Sequence, residues 1–339
     1  MNLLSRIFVF AAAMALSLSS VHAEHHLSVH YKGKAGPGKG KHVVLVSGDE
    51  EYRSEECLPM LGRILADHHG FDCTVLFSVN DKGEIDPNNQ KSVTNAKAMA
   101  SADLIIIALR FRNWPDEDMK HFAEAYHKGV PIIGLRTSTH AFQLRQGSYR
   151  DFNSFGKKVL GEGWVSHWGA HKREGCRGVV EESNKDHPIL KGATDVFADS
   201  DTYEAAPPAD ATILMRGLVT ESLKPDSKPV TGKRKKNRAT GKVQDVNEPA
   251  MPVAWTRELK NPKGKTNRLF CTTMGAATDF KSEGLRRMVV NGVFWGLGME
   301  DQIDGKADVS PVGDYDPTFY SFNGFKLSLI HISEPTRPY

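Results

Sequence analysis

The stretch ADLIIIALRFRNWPDEDMKHFAEAYHKGVPIIGL, residues 102–135, decides the fold. Ala102 to Leu109 is an apolar run with no period-two alternation, as expected of a central strand covered on both faces. Asn113 to Asp118 reads as a helix start. Pro115 suits a first turn, and Asp116, Glu117 and Asp118 complement the helix dipole. That helix is predicted to run to Lys128 and to end at Gly129. Val130 to Leu135 is the next strand.

The same alternation extends upstream. His42 to Ser47 is a short β-branched strand, and Glu55 to His68 places Leu58, Leu61, Ile64 and Leu65 on one helical face. Gly70 closes that helix, and Phe71 to Val79 is another strand. Downstream, a helix is predicted over Asp151 to Leu160, and strands over Gly178 to Glu182, Thr212 to Val219, Met251 to Thr256 and Arg268 to Thr273. The last three strands read as a hairpin extension, and Ser282 to Gly296 as a final helix. Strands alternating with amphipathic helices predict an α/β fold: a single three-layer α/β/α domain over residues 42–298 with a mainly parallel sheet.

Composition agrees with a globular chain. Of 339 residues, 40% are hydrophobic and 25% charged, which excludes a disordered chain, a rod or a multi-span membrane protein. Four cysteines are too few for a disulfide-built scaffold, and no disulfide is expected. The net charge is +3, yet residues 224–242 alone hold eight Lys and Arg against Asp226. The rest of the chain is therefore net acidic, and the basic loop reads as solvated. No nucleic-acid partner is expected.

Both ends stand apart. Arg6, the apolar run Ile7 to Leu18 and Val21-His22-Ala23 form a leader-like segment, so export and cleavage near Ala23 are expected, with no membrane span in the mature chain. Residues 24–41 read as a flexible opening segment and 299–326 as a C-terminal tail. Leu327 to Arg337 resembles the translation of a transposase sequencing adapter, so residues 327–339 are read as an assembly artefact.

In open α/β sheets, ligands bind beyond the carboxyl ends of the strands. Three loops meet there and offer Glu50, Glu51, Arg110, Arg112, Arg136, Thr137, Ser138 and His140. Gly134-Leu-Arg136 occupies the position of a nucleophile elbow, but with an arginine and no cysteine, so thiolate chemistry is excluded there. Repulsion between Arg110 and Arg136 calls for a carboxylate between them. One cluster is therefore predicted, of these two arginines with Glu50 or Glu51 and with His140 close by. On that reading Arg136→Ala abolishes ligand binding and leaves the fold intact.

His167 and His171 have the spacing of a helical metal site, but Gly163, Gly169 and Gly175 point to a loop. No metal and no cofactor is therefore assigned. Trp114, Trp164 and Trp168 are candidates for stacking on a sugar face, with His167 and Trp168 counted among the substrate-binding residues.

The ordered set from Trp114-Pro-Asp-Glu-Asp-Met119 through Arg136-Thr-Ser-Thr-His-Ala-Phe142, His187-Pro-Ile-Leu-Lys-Gly192, Asp201-Thr-Tyr203 and Arg268-Leu-Phe-Cys-Thr-Thr-Met-Gly275 to Asn291-Gly-Val-Phe-Trp-Gly-Leu-Gly298 resembles the ThuA-like (trehalose-utilisation) family. With Trp168-Gly-Ala-His171 it is similar to the secreted variant of planctomycete-type bacteria. The resemblance implies a class I glutamine amidotransferase-like (flavodoxin-like) fold without amidotransferase activity, and an association with trehalose-type or keto-disaccharide utilisation. Typical members carry a histidine at the elbow and a Gly-His pair after the late strand. This chain has Arg136 and Gly275-Ala276 there, so roles tied to those histidines do not carry over.

The leading expectation is a sugar-processing protein with a small-molecule carbohydrate as partner. His140 and His171 would transfer protons, and Arg110 and Arg136 would stabilise an enolate-like charge. A non-catalytic sugar-binding or assembly module and a metal-dependent hydrolase are the competing readings. An enzyme should place a histidine in the same cavity as Arg136.

Overall fold

The computed structural model describes residues 28–325 and 328–329. The leader-like segment and most of the adapter-like segment lie outside the described residues. Strands β1 (Ser28–Tyr31), β2 (His42–Gly48), β3 (Asp72–Leu76), β4 (Glu84–Ile85), β5 (Leu104–Leu109) and β6 (Ile132–Leu135) make up the first half. Helices α1 (Ser54–Asp67) and α2 (Asp116–Lys128) lie among them. The second half holds β7 (Cys176–Val180), β8 (Phe197–Ala198), β9 (Thr212–Val219), β10 (Arg234–Lys236), β11 (Val243–Asp245), β12 (Met251–Lys260), β13 (Thr266–Thr272) and α3 (Glu283–Gly296). Finally β14 (Ser328–Leu329) pairs antiparallel with β4.

One sheet of ten strands runs β1-β3-β2-β5-β6-β13-β12-β9-β7-β8. Its centre, β3-β2-β5-β6-β13, is parallel throughout. Successive residues of β2 show why these strands read as unbroken apolar runs. Val43 and Leu45 pack with Leu61, Ile64, Val289 and Val293 from α1 and α3. Val44 and Val46 belong to a separate core with Met119, Phe122 and Tyr126 from α2. Both faces of each central strand are thus covered, and a polar residue there needs a partner, as Ser47 finds in Ser54 at 2.8 Å.

The antiparallel extension is larger than its sequence signature. β12 pairs with β13 on one side and with β9 on the other, and β7 and β8 continue it. The basic segment lies between β9 and β12, and part of it folds as the β10–β11 hairpin. β1, within the opening segment, adds an antiparallel edge strand to β3.

The helix expected over residues 151–160 is instead a 3-10 turn, Arg150–Ser154, followed by a π turn, Gly156–Leu160. Two constraints explain the departure. Phe152 and Phe155 both turn toward Phe122, at 5.9 and 5.3 Å, an i,i+3 alignment that a tighter coil favours. Gly156 packs so closely that a Cβ there would lie 1.7 Å from the Thr139 carbonyl oxygen. Among the described residues no helix is long and apolar enough to cross a membrane.

Ile106 is fully buried at the sheet centre, whereas Val179 near the far edge is 44% exposed. Ile106→Ala should therefore lower stability by about 2–5 kcal/mol, and Val179→Ala should stay within about 0.5 kcal/mol. Urea midpoints at unchanged slope measure both; equal losses would contradict the burial pattern.

Candidate functional site

The strand order reverses direction at β2, with β3 on one side and β5 on the other. Loops leaving β2 and β5 therefore diverge and open a crevice at the strands' carboxyl ends. Asp49 shapes the first loop: its Oδ1 accepts the backbone N–H of Glu51 at 2.8 Å and of Tyr52 at 3.0 Å. Thr137, on the turn after β6, donates its hydroxyl to the other Asp49 oxygen. Ser138 is fully buried, donates to the Ile107 carbonyl at 2.9 Å and accepts from the Leu109 N–H. Both hydroxyls tie the three loops together.

The arginines separate into two clusters rather than one. Glu50 is shared by Arg110 and Arg112, the latter at 2.6 Å. Arg112 is fully buried and also donates to the carbonyls of Arg110 and Pro87, which makes it a clamp between loops. Burial raises the Glu50 carboxyl from its ordinary value, and Arg112 and Arg110 oppose the rise. Arg110 keeps 21% of its side chain exposed.

Arg136 lies elsewhere and pairs with Asp201, at 3.0 Å. Its Nη1 donates to the carbonyls of Asp201 and Thr273 at 2.6 and 2.8 Å, and its Nη2 reaches the Tyr52 hydroxyl at 3.2 Å. The guanidinium also lies 3.8 Å from the Tyr203 ring centre. With 1% of its surface exposed, Arg136 is inside the protein, not at the mouth of the cleft as its strand-end position suggested. The backbone at Arg136 has φ 46°, a left-handed conformation costly for a side chain with a Cβ. Gly275 makes the tight turn possible: it sits at φ 140°, and a Cβ there would approach the Arg136 nitrogen at 3.3 Å.

Asp201 then gathers two histidines. Its Oδ2 meets His167 Nδ1 at 2.9 Å, and its Oδ1 meets His171 Nδ1 at 3.2 Å. The other ring nitrogen of His171 bonds Glu51 Oε1 at 3.0 Å. Burial lowers the affinity of His171 for its second proton, but the hydrogen bonds to Asp201 and Glu51 outweigh it and raise the group overall. Burial likewise works against the Asp201 charge, yet His167, His171 and Arg136 hold its carboxyl well below the usual range. His167 and His171 do sit in a loop, as their glycine neighbours imply, and their rings still lie only 4.4 Å apart. One donor atom from each of His167, His171 and Asp201 falls within 4.8 Å of the others, so this is where the described residues could hold a metal ion.

Beside this cluster is a cavity of about 280 Å³ lined by residues that include Phe111, His140, Gln143, Asn153, Lys157 and Trp164. Trp164 is 39% exposed and joins the two halves, with its ring 5.2 Å from His140 and 4.9 Å from His167. Burial, reinforced by the charges of Arg110 and Arg136, pushes His140 down to about 3, so its ring is neutral at ordinary pH. Trp168, in contrast, is fully buried under the basic hairpin, donating to the Val246 carbonyl, and Trp114 is buried on the α2 face.

The tail packs on the His171 side of the cluster. Tyr320 is fully buried, 4.9 Å from the Tyr52 ring and 5.7 Å from His171. Arg53 bonds the Ser321 carbonyl, and Phe322 lies 5.0 Å from the Arg110 guanidinium. Sequence reasoning did not single out Tyr52, Tyr320 or the Asp201 carboxylate; only the Asp201-Thr-Tyr203 motif drew notice.

A family model described as ThuA, trehalose utilisation, matches residues 42–296. No curated protein matches the chain. Among solved structures, one described as thua-like from Parabacteroides merdae ATCC 43184 is 14% identical with a TM-score of 0.48, covering 84% of this chain and 98% of that one. Another described as thua-like, from Bacteroides uniformis ATCC 8492, is 13% identical with a TM-score of 0.45, covering 78% and 94%.

Removing the Arg136 guanidinium would leave Asp201 as a buried, undercompensated charge. Arg136→Ala is therefore expected to cost about 3–5 kcal/mol of stability, read as a urea midpoint, in place of the intact fold that a cleft position implied. An undiminished midpoint would show that the pair does not hold the site. His140 gives a pH signature. Its folded value lies below the ordinary 6.5, so the unfolded chain takes up a proton first, and stability falls as pH drops from about 6.5 toward 3. His140→Phe should flatten that part of the stability profile.

Proposed function

Because the chain belongs to the ThuA family, we propose that it takes a carbohydrate into the cleft beside Trp164 and processes it by proton transfer, with no covalent thiol intermediate. The family ties the chain to carbohydrate utilisation; the proposed substrate is a neutral or keto-disaccharide of the trehalose type. The observation that carries the reading is the position of Trp164. Its half-exposed ring borders both the neutral His140 and the His167–His171–Asp201 cluster. A pyranose presents apolar C–H groups to such a ring while its hydroxyls meet polar neighbours.

Each residue then has a stated part. His140 offers a lone pair to a sugar proton. The His167–His171–Asp201 cluster polarises a sugar oxygen from the other side of Trp164. Arg136 positions Asp201 and does not itself reach substrate, while the partly exposed Arg110 can meet developing negative charge. A thiol route has no candidate nucleophile: all four cysteines are buried, and burial pushes every one of their thiols up. A parallel sheet covered on both faces fits a three-layer, class I glutamine amidotransferase-like domain, and the leader-like sequence up to Ala23 speaks for export and cleavage near Ala23.

The test is a panel of disaccharides and their 3-keto forms, followed by tryptophan fluorescence and by product analysis. Binding should quench fluorescence, and Trp164→Ala should weaken it about tenfold while the melting temperature holds. His140→Ala should bind normally and turn over poorly. Binding without any conversion would leave a sugar-binding module, and no response to any sugar would overturn the proposal.

A further inference from the structure

His171 presents an uncommon arrangement: each of its two ring nitrogens faces a different carboxylate, Asp201 through Nδ1 and Glu51 through Nε2. Carboxylates only accept hydrogen bonds, so without another cation the ring must carry protons on both nitrogens. His167 turns its own Nδ1 to the second oxygen of the same Asp201. Two imidazoles and a carboxylate therefore converge through Nδ1, Nδ1 and the carboxylate oxygens on one small volume, with one donor atom of each residue within 4.8 Å of the others.

We propose that His167, His171 and Asp201 bind one divalent cation of the zinc class. The ion would replace the Nδ1 protons, and His171 would keep its Nε2 proton on Glu51. A histidine ligand that donates its other ring N–H to a carboxylate is the usual outer support of a protein-bound metal. Arg136 supports the third ligand in the same way, by holding Asp201 through both a side-chain and a backbone contact. Two nitrogens and an oxygen are a donor set suited to zinc. The carboxylates of Asp201 and Glu51 offset the added charge.

The site has three protein ligands, which leaves a fourth position. Three ligands and one open position is the pattern of catalytic rather than structural zinc. His167 and His171 retain 35% and 26% of their side chains exposed, so that position can be reached from solvent. Trp164, edge-on to His167, places it beside the cleft. Polarising a sugar hydroxyl or carbonyl oxygen is the use of this ion that rests on the function proposed above; its binding does not depend on that reading.

The experiment starts from full-length protein stripped by a chelator. Zinc alone is titrated by calorimetry, and cobalt(II) is added in parallel to read the ligand field from its visible spectrum. One ion per chain is expected, with a visible band typical of four or five ligands. The double variant H167A/H171A should lose that ion, with an unchanged circular-dichroism spectrum because both rings are partly exposed. His127→Ala, on α2, should retain it. Asp201→Asn offers a second variant that keeps the side-chain shape and weakens binding. Absence of zinc binding by the wild type, or equal binding by H167A/H171A, overturns the proposal. Sugar-induced quenching of Trp164 is measured on the same stripped and loaded samples. Quenching without metal binding removes the ion and leaves the carbohydrate reading, and metal binding without quenching does the reverse.

Discussion

The histidine cluster at the carboxyl end of the sheet depends on the buried pair of Arg136 and Asp201. A guanidinium taken out of water is tolerated only when its charge is matched and its donors are used. Arg136 meets this at both terminal nitrogens, its buried Nε alone lacking a partner, through groups from three parts of the chain: Asp201 after β8, Thr273 after β13 and Tyr52 after β2. One side chain thus fixes the relative positions of segments far apart in sequence. Asp201, fixed in turn, decides where His167 and His171 point. The left-handed backbone at Arg136 is strain that this network of contacts holds in place.

The second carboxylate cluster does a different task. Glu50 joins Arg110 and Arg112 across the crevice between β2 and β5, and Arg112 continues to the loop around Pro87. Separate acids for separate arginines keep like charges apart, and they leave the site near His140 with a positive surround. Burial, with that surround added, is why His140 stays neutral, while the carboxylates around His171, beyond Trp164 and His167, raise its affinity for a proton. Two histidines are thus shifted in opposite directions by their surroundings, one on each side of Trp164 and His167.

Much of the scaffold was legible in the sequence. Leu104–Leu109 could be placed at the sheet centre because only a strand covered on both faces lacks alternation. The elbow after β6 was legible from Gly134-Leu-Arg136, and the loop around His167 from its glycines. The partners were not. Asp201 sits in an acidic, aperiodic stretch, Asp199-Ser-Asp-Thr-Tyr203, and its importance comes from groups that only tertiary folding brings to it. Trp164 and Trp168 are four residues apart on one loop, and no local signal tells which is buried beneath the basic hairpin and which borders the cleft. Burial of Arg136 was equally hidden, because a strand end is ordinarily near solvent, and apart from Tyr52 the groups that cover it, Asp201, Tyr203 and Thr273, come from the second half of the chain.

The tail adds a matter of timing. Arg53 and Ser321, which meet over the site, are 268 residues apart, and Tyr320 covers Tyr52 in the same place. The last helix that covers β2, α3, ends at Gly296, so at about 5–20 residues per second of synthesis Tyr320 follows it by about 1–5 s. Through that interval Tyr52 and Arg53 lack their cover, and His171 lacks its contact with Tyr320. Order of synthesis leaves the aromatic cover for last: a chain stopped between Gly296 and Tyr320 has made every group of the Arg136–Asp201–histidine network but not the ring that covers Tyr52.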